Sequence, residues 1–411
     1  MTSSVFGLLG RRLGHSWSPQ IHSVWGIGDY ALFEREPEDV PAFLASEEWA
    51  GLNVTIPYKK TVMPYCDTLS ETARRIGAVN TIVRTKDGLF GDNTDYAGFL
   101  FMLRSAGFSV CGKKVLILGT GGAAVTAYAV IEDEGGFPVF ISRRGENNYT
   151  NLSRHADAEF VVNATPVGMY PENGLAPLSL EVFNRPPAVA DMIYNPCRTA
   201  LMMEAERLGA PCVGGLTMLA AQARRSVELF LGHALPDELV TQAVRRVTGE
   251  MRNIVLIGMP GAGKTTVGKR LADLLGRPFV DTDEEIARQT GRTPAEILRA
   301  DGEDAFRAVE SEVLRKVGKE LGQVIACGGG VVTRAENLAP LRQNGKIFLL
   351  LRPLAELAVQ GRPLSGQYGT EALWAARRER YLAWADETVT VRETSAETAR
   401  EILTLWEARQ C

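Results

Sequence analysis

Short apolar runs alternate with amphipathic or polar stretches along this chain of 411 residues. Between residues 115 and 194 four such runs follow one another, namely VLILG, PVFIS, EFVVNAT and AVADMIY. Near-continuous apolar strands separated by helical or loop stretches are typical of a parallel sheet with crossover helices. We therefore predict an α/β fold for this part of the chain, with a helix over Met218–Gly232 after the last strand.

The pattern changes twice along the chain. Residues 1–100 mix short apolar runs with helix-like polar segments, which predicts a separate α/β lobe to which the 218–232 helix returns. After an amphipathic helix at 240–247, the sequence TGEMRN precedes a new apolar strand, NIVLI, as at the start of an independent domain. We place the linker at residues 248–252. The predicted parts are a lobe of residues 1–100 and about 216–248, a domain of 101–215 (together 1–248), and a domain of 252–411 with a central parallel sheet.

Composition argues against several classes of protein. A net charge of −4 gives no long-range attraction to nucleic acid or to an anionic membrane. The longest uncharged run, residues 115–131, is too short for a membrane span, and the first arginines follow the apolar N-terminal residues instead of preceding them as in a secretory signal. The six cysteines show no metal-binding or C-x-x-C spacing, so we expect reduced thiols and a cytoplasmic protein.

Residues 258–265, GMPGAGKT, fit the phosphate-binding pattern G-x-x-x-x-G-K-[ST] in full, with an apolar strand before them and a helix after. Glycines let backbone N–H groups surround phosphate oxygens, and the helix N-terminus adds partial positive charge. Lys264 is expected to reach the β/γ-phosphates, and Thr265 to supply a hydroxyl to Mg²⁺. The predicted ATP-binding residues of this loop are Gly261, Ala262, Gly263, Lys264, Thr265 and Thr266.

Two carboxylates, Asp281 and Asp283, follow the next apolar strand. With i, i+2 spacing at a strand end they are expected to point the same way, toward the crevice where α/β sheets bind ligands. We predict that Asp281 supports the water shell of Mg²⁺ and that Asp283 accepts hydrogen bonds from substrate hydroxyls. A helix-start cap is the alternative for Asp283.

An earlier glycine loop, GTGGAA at 119–124, also follows a strand and opens a helix, as in dinucleotide-binding folds. It is a variant of that fingerprint, because Ala124 occupies the last glycine position. The next strand ends in Ser142-Arg143-Arg144, where an NAD site would place an acidic residue and an NADP site tends to place arginine. NADP is therefore favoured, and two exposed basic residues on a loop are the alternative.

An ordered set of motifs runs through residues 252–411: GMPGAGKTT, DTDEEI, DGEDAFRAVE, a triple glycine, GRPL, and R-x-x-x-Y followed by Ala385-Asp386. This set resembles shikimate kinase. The resemblance implies that Asp283 binds the ring hydroxyls of shikimate and that Arg362 closes on ATP. It further implies that Arg307 and Arg377 hold the substrate carboxylate beside Gly329, in keeping with the bidentate match of guanidinium to carboxylate. Arg378 is the alternative to Arg377.

Polar clusters in the first 100 residues support a second resemblance. GHSWSP at 14–19, NVTIPYK at 53–59, GAVN at 77–80 and DNTD at 92–95, with the 119–124 loop, are together similar to shikimate dehydrogenase over residues 3–248. Taken singly, the first and last of these clusters have a turn or a helix cap as the alternative. The resemblance implies that Lys59 and Asp95 are the catalytic pair. It implies a substrate site of Ser16, Ser18, Thr55, Lys59, Asn80, Asp95, Tyr194 and Gln222. It implies an NADP site of Gly119, Thr120, Gly121, Gly122, Ala123, Ser142, Arg143, Arg144, Met192 and Gly215.

The chain departs from the dehydrogenase family in two places. Ser142-Arg143-Arg144 stands where the family has Asn-Arg-Thr, which leaves open which arginine holds the 2′-phosphate. The stretch 25–33 is shorter than usual, so a trimmed edge strand is expected.

Together, the two resemblances imply a substrate lobe, a Rossmann-like NADP-binding domain and a P-loop kinase domain in one chain. Such a chain would reduce 3-dehydroshikimate to shikimate with NADPH and phosphorylate shikimate to shikimate 3-phosphate with ATP and Mg²⁺, two consecutive steps of aromatic amino acid biosynthesis. A lysine with a carboxylate partner suits the first step, because it can stabilise a developing alkoxide and relay a proton. The alternatives are a pair of activities on a quinate-type acid, or one silent, regulatory half. We expect small-molecule substrates and no nucleic-acid or membrane partner.

Overall fold

The computed structural model of the chain describes residues 5–14, 16–357 and 369–408. Three β-sheets organise these residues. They divide into two compact units, the first composed of Met1–Met169, Leu175–Asn195 and Leu201–Val247, and the second of Tyr170–Gly174, Pro196–Ala200 and Thr248–Cys411. Two of the sheets belong to the first unit and one to the second.

The first sheet is mixed and has six strands in the order β2-β1-β3-β5-β6-β4. Parallel pairing joins β1 to β2 and β3, whereas β5 runs antiparallel to β3 and β6. The edge strand β2, most of which lies within the short 25–33 stretch, pairs with β1 along all five residues of each. Its elements are β1 Phe6–Gly10, α1 Ser18–Ser23, β2 Tyr30–Glu34, α2 Val40–Ala45, β3 Gly51–Val54, β4 Thr68–Leu69, α3 Glu71–Ile76, β5 Thr81–Thr85 and β6 Gly88–Asp92.

The second sheet is wholly parallel, in the order β11-β10-β9-β7-β8, which confirms the fold predicted from the apolar runs. The strand of this sheet that comes first in the sequence, β7, lies between β8 and β9. The connection from β7 to β8 and the later connection to β9 therefore run to opposite sides of β7, which leaves a crevice at the carboxyl end of the sheet. Only β11 has no counterpart in the predicted strands, since three residues are too few to show a pattern. Its elements are α4 Asp95–Ser105, β7 Lys114–Leu118, α5 Gly122–Asp133, β8 Phe137–Ile141, β9 Phe160–Asn163, β10 Ala188–Asp191, α6 Ala200–Arg207, β11 Cys212–Gly214 and α7 Leu216–Leu231.

The segment predicted as a linker is largely helical. Helix α8 spans Glu238–Met251, and the next strand begins at Asn253. Met251 is fully buried, and the Arg277 guanidinium donates to the carbonyl oxygens of Gly249 and, at 2.9 Å, Arg252. These contacts satisfy carbonyl groups that a helix end leaves without an internal partner. The second unit begins at Thr248, within the predicted boundary, but the chain crosses this boundary as a helix.

The third sheet, in the second unit, is parallel in the order β13-β14-β12-β15-β16, as predicted for a central parallel sheet. Strand β12 is fully buried along Ile254–Ile257, as expected for a strand covered on both faces. Its elements are β12 Asn253–Ile257, α9 Lys264–Leu275, β13 Phe279–Asp281, α10 Thr282–Thr290, α11 Pro294–Asp301, α12 Glu303–Val317, β14 Val324–Ala326, α13 Leu338–Arg342, β15 Gly345–Leu351, α14 Thr370–Trp384, β16 Glu387–Thr390 and α15 Ser395–Ala408.

In the part of the chain that the structure describes, no helix is both long and apolar enough to cross a bilayer. The five cysteines in these residues (Cys66, Cys111, Cys197, Cys212 and Cys327) form no disulfide, and Cys411 lies outside them.

Candidate active sites

Lys59 and Asp95 form an ion pair in the first unit. Lys59 Nζ lies 2.6 Å from Asp95 Oδ2, and the Asn80 side-chain amide donates a 2.9 Å hydrogen bond to the other oxygen, Oδ1. Asp95 is the first residue of α4, where the helix dipole favours negative charge. The Lys59 side chain keeps 30% of its surface exposed. An ammonium group held in this way can donate a hydrogen bond and a proton to a bound ligand.

A network of three hydrogen-bonded polar side chains adjoins the Asp95 end of this ion pair. The Asn80 carbonyl oxygen accepts hydrogen bonds from the Thr94 backbone N–H at 2.7 Å and from the Thr94 hydroxyl at 3.1 Å. Thr94 Oγ1 also lies 3.3 Å from Gln222 Oε1. The structure thus brings four of the predicted substrate residues together, Lys59, Asn80, Asp95 and Gln222. The N-cap of α4 is Thr94, without a side-chain cap hydrogen bond, so Asp95 is engaged with Lys59 and Asn80 and not with capping.

The remaining predicted substrate residues have other surroundings. Ser16 and Ser18 share a 3.1 Å hydrogen bond between their hydroxyls, and Ser16 Oγ accepts from the Ser18 backbone N–H, as in a serine turn. Tyr194 is partly buried, and burial raises the pKa of its phenol. Among the described hydrogen bonds, none joins the side chain of Thr55 or Tyr194 to the Asn80 network.

The 119–124 loop is exposed to solvent where it leads into α5. Gly121, Gly122 and Ala123 are exposed where α5 begins, and Thr120 is exposed beside them. A Cβ added at Gly121 or Gly122 would meet nothing within 4 Å, and neither has a positive φ. Packing therefore does not require glycine at these two positions, and both leave room for the close approach of a ligand, although Gly121 is also the N-cap of α5, where glycine is favoured. Gly119 differs, because its φ of +102° favours glycine.

Two exposed arginines, Arg143 and Arg144, follow β8 in the same unit. The Ser142 hydroxyl donates to the Arg144 carbonyl, and the Ser142 backbone N–H donates to Asn147 O at 3.2 Å, so the loop that carries both arginines is tied to itself. Both predicted 2′-phosphate residues are thus accessible from solvent.

Met192 and Gly215, predicted on the nicotinamide side, touch each other. A Cβ at Gly215 would lie 2.1 Å from the Met192 carbonyl oxygen. Glycine at 215 is thus required by the close approach of two chain segments.

The second unit holds the phosphate loop, and its charged residues are already engaged. Lys264 is buried and donates to the carbonyl oxygens of Gly258 at 2.8 Å and Met259 at 2.9 Å. The Thr265 hydroxyl donates a 2.7 Å hydrogen bond to Asp281 Oδ2. The predicted Mg²⁺ hydroxyl and its neighbouring carboxylate are thus in direct contact.

The strand-end argument for Asp283 was wrong in its geometry. Strand β13 ends at Asp281, which is itself the N-cap of α10, and its Oδ1 accepts a 3.0 Å hydrogen bond from the Asp283 N–H. Asp283 therefore lies in the first helical turn and is not the capping residue. Both carboxylates still border the same cavity.

That cavity has a volume of about 570 Å³. Arg377 is buried in its wall and donates a 3.1 Å hydrogen bond to Gly329 O, whereas Arg378 is exposed. Opposite charges thus line one space that is large enough for small anionic ligands. The predicted residues on its wall are Gly261, Gly263, Lys264, Thr265, Thr266, Asp281, Asp283, Arg307, Gly329 and Arg377. Ala262 lies in the same loop and is buried, and Arg362 lies outside the described residues.

The triple glycine forms one wall of this cavity by close packing. A Cβ at Gly328 would lie 2.8 Å from Asp283 Oδ1, and one at Gly329 would lie 2.5 Å from Pro260 Cγ in the phosphate loop. At Gly330 it would lie 2.1 Å from Arg307 Nη2. Each glycine therefore makes room for a different part of the site.

Sequence reasoning missed Glu310, which also lines the cavity. Its side chain is buried and ion-paired with Arg307 at 2.8 Å. The spacing alone could have indicated it, since an acidic residue three positions after an arginine lies on the same face of a helix.

Residues 260–407 match the family model for shikimate kinase, and residues 8–82 match that for the shikimate dehydrogenase substrate binding domain. A shikimate dehydrogenase (NADP(+)) from Caldanaerobacter subterraneus subsp. tengcongensis is 34% identical over 278 residues, which is 61% of this chain and 98% of that protein. One from Methanopyrus kandleri is 35% identical over 275 residues, 59% of this chain and 95% of that protein.

Solved structures show the same similarity. A chorismate mutase/shikimate 5-dehydrogenase fusion protein from Clostridium acetobutylicum has a TM-score of 0.57 at 34% identity and covers 60% of this chain and 97% of its own. A shikimate 5-dehydrogenase from Thermus thermophilus in complex with NADP(H) and shikimate has a TM-score of 0.54 at 30% identity, covering 59% and 99%. These similarities extend over about three fifths of the chain.

Proposed function

Because this chain belongs to the shikimate dehydrogenase family and also carries a shikimate kinase domain, we propose that it is a bifunctional enzyme of the shikimate pathway. Its first activity is the NADPH-dependent reduction of 3-dehydroshikimate to shikimate. Its second is the ATP- and Mg²⁺-dependent phosphorylation of shikimate to shikimate 3-phosphate. The product of one reaction is the substrate of the other.

Lys59 and Asp95 carry the proton chemistry of the reduction. As the carbonyl carbon gains a hydride, negative charge develops on its oxygen, and the Lys59 ammonium can stabilise that charge and donate a proton. Asp95 keeps the ammonium in place through the 2.6 Å contact. The substrate hydroxyls and carboxylate are assigned to Ser16, Ser18, Thr55, Asn80, Tyr194 and Gln222.

The described residues suit NADP(H), which supplies the hydride when bound. The open approach to Gly121 and Gly122 at the start of α5 leaves space for a pyrophosphate at a helix N-terminus. Arg143 and Arg144 are assigned to the 2′-phosphate, since both are exposed on the loop after β8. Met192 and Gly215 are assigned to the nicotinamide side.

The phosphorylation site is assigned to the 570 Å³ cavity. Arg307 and Arg377 bind the shikimate carboxylate beside Gly329, and Asp283 accepts hydrogen bonds from ring hydroxyls. ATP, with Mg²⁺ near Thr265 and Asp281, supplies the phosphoryl group when bound. Lys264 and the loop amides would hold the phosphates of ATP, and such positioning is most of what phosphoryl transfer requires.

The observation that carries this proposal is the sharing of one cavity by a phosphate loop and by a carboxylate-binding set of two buried arginines and Asp283. A coupled assay tests it. The full chain is incubated with 3-dehydroshikimate, NADPH, ATP and Mg²⁺, and both NADPH oxidation and a phosphorylated product are expected.

Two variants separate the activities. Lys59→Ala should abolish NADPH oxidation and leave phosphorylation of added shikimate intact, and Lys264→Ala should do the reverse. Loss of both activities from either variant in natively folded protein would refute two independent sites. Parallel assays with quinate-type acids check the assigned substrate.

A further inference from the structure

Ser226 is the centre of a buried hydrogen-bond network in the first unit. It lies on α7, and none of its surface is exposed. Its hydroxyl oxygen lies 2.7 Å from Asn53 Nδ2, 2.8 Å from Thr81 Oγ1 and 3.0 Å from Thr94 Oγ1. It also donates to the Gln222 carbonyl oxygen at 3.0 Å. A hydroxyl has one donor and two acceptor positions, so these four contacts compete for three positions and leave none of them unused.

One branch of the network reaches the ion pair of the proposed reduction site. The Thr94 hydroxyl donates a hydrogen bond to Asn80 Oδ1, and the Asn80 amide donates one to Asp95. Asp95 in turn forms the ion pair with Lys59. Ser226 is therefore connected to the Asp95 carboxylate through two side chains. Thr94 also precedes Asp95 directly, so its position sets where α4 begins.

The other branch runs toward Ser18. Asn53 Oδ1 accepts a 2.7 Å hydrogen bond from the Tyr30 hydroxyl, and the Tyr30 ring is stacked on His22 with centroids 3.9 Å apart. The His22 Nδ1–H donates to the Ser18 carbonyl at 2.7 Å, since a carbonyl can only accept. Asn53 and Ser226 thus connect the two groups of residues assigned to the substrate.

From this geometry we infer that Ser226 is a positioning residue for the reduction of 3-dehydroshikimate, and this inference rests on the proposed function. Its hydroxyl fixes Thr94, and through Asn80 it fixes the direction in which Asp95 presents its carboxylate to Lys59. Helix packing alone would not select serine at this place, because alanine has the higher helix propensity and a similar size. The hydroxyl is accounted for by its three partners outside α7.

The test compares Ser226→Ala and Ser226→Cys with the wild-type chain. The matched control is Ser105→Ala, which removes a helical serine hydroxyl whose hydrogen bond is to a carbonyl three residues earlier. We expect the kcat for NADPH oxidation to fall about 10- to 100-fold in Ser226→Ala, as for small misplacements of catalytic groups. The kcat of Ser226→Cys should fall less than that of Ser226→Ala. In Ser226→Ala the pH profile of kcat should shift, and the KM for NADPH should stay within about twofold of the wild-type value. Phosphorylation by the same polypeptide serves as the internal reference, and the control should match wild type throughout.

Two outcomes overturn the inference. One is a Ser226→Ala chain with the wild-type kcat and pH profile. The other is a lower kcat with an unshifted pH profile, which a merely structural role would produce by reducing the amount of native protein. A wild-type chain that does not oxidise NADPH would instead contradict the proposed function. In that case the crystal structure of Ser226→Ala tests the positioning alone: a Lys59–Asp95 distance beyond about 4 Å shows that Ser226 orients the ion pair, and an unchanged ion pair overturns that role.

Discussion

Arg307 and Glu310 form an ion pair inside the wall of the phosphorylation cavity, with Nη1 and Oε2 2.8 Å apart and side-chain exposures of 5% and 1%. Arg307 also contacts Glu303, whose side chain is 42% exposed. Because a buried charge without its partner costs far more than a surface one, Glu310 sets both the stability of α12 and the direction of the guanidinium. The cavity thus depends on a residue that none of the assigned ligand contacts includes.

Replacing Glu310 by alanine should lower the free energy of unfolding of the second unit by about 3 kcal/mol, since the Arg307 charge loses its buried partner. The KM for shikimate should rise at the same time, and NADPH oxidation should be unchanged. Urea unfolding and steady-state kinetics measure these effects. The control is Glu312→Ala on the same helix, whose pair with Arg315 is also 2.8 Å long but about half exposed and should cost under about 1 kcal/mol. Equal losses in the two variants would contradict the argument.

Alanine at Gly121 or Gly122 should weaken NADPH binding without affecting stability. Neither glycine has a positive φ, and an added Cβ meets no atom of the chain within 4 Å, so the fold tolerates the methyl group. A bound pyrophosphate would not, because it needs close access to the backbone N–H groups. We expect the KM for NADPH to rise at least about tenfold with Tm unchanged, given the charge-assisted hydrogen bonds at stake.

The control for these two variants is Gly28→Ala. Gly28 likewise has no atom within 4 Å of an added Cβ, but it lies far along the sequence from the 119–124 loop. It should leave both KM and Tm at wild-type values. A fall in Tm for Gly121→Ala or Gly122→Ala would show that these glycines serve the fold.

The fold could be predicted from the sequence wherever a strand is buried on both faces. β7, β9 and β12 are continuous apolar runs, and their positions were predicted to within a residue or two. Strand β11 could not be found, because its three residues are too few to show a pattern and are only partly buried. The end of α8 was missed for a different reason: Met251 and the Arg277 contacts that extend the helix involve residues distant in sequence.

The site could be predicted where a motif fixes its own backbone. Local patterns placed the 258–265 loop before a helix, and family resemblance paired Lys59 with Asp95, which are in contact. Glu310 and Ser226 were not, since their importance comes from burial against partners that the sequence does not place beside them. Asp283 borders the same cavity as Asp281, as expected, but from a helix, because the strand ends two residues earlier than the spacing argument required.

Replacing Arg143 and Arg144 singly by alanine should identify the arginine that holds the 2′-phosphate. The residue in contact with the phosphate should raise the KM for NADPH about 10- to 100-fold, the usual effect of losing a hydrogen bond to a charged group, and leave the KM for NADH unchanged. The other residue should give a smaller effect that disappears at high salt, since exposed charges are screened. If neither variant changes the ratio of the two KM values, the 2′-phosphate is bound elsewhere.

His22 should make the stability of the first unit depend on pH. Burial lowers the pKa of this imidazole to about 4, against the opposing effects of its hydrogen bond to the Ser18 carbonyl and of Asn53. The unfolded chain, in which the pKa of this histidine has its ordinary value of 6.5, then binds more protons than the folded chain between these two values. Stability is therefore fully present above pH 6.5 and is lost as the pH falls toward 4.

Between pH 7 and pH 5 this single group should remove about 2 kcal/mol from the free energy of unfolding. Hydrogen exchange at the buried amides of β1, corrected for intrinsic rates, measures that change in the intact chain. In His22→Gln the pH dependence should be smaller by about the same amount, whatever the variant's stability at pH 7, because the titrating group is gone while all others remain. His233→Gln, which replaces an exposed histidine of the same unit, should keep the wild-type dependence. If His22→Gln kept it as well, the acid sensitivity of this unit would have to come from other groups, such as His155, whose pKa burial also lowers.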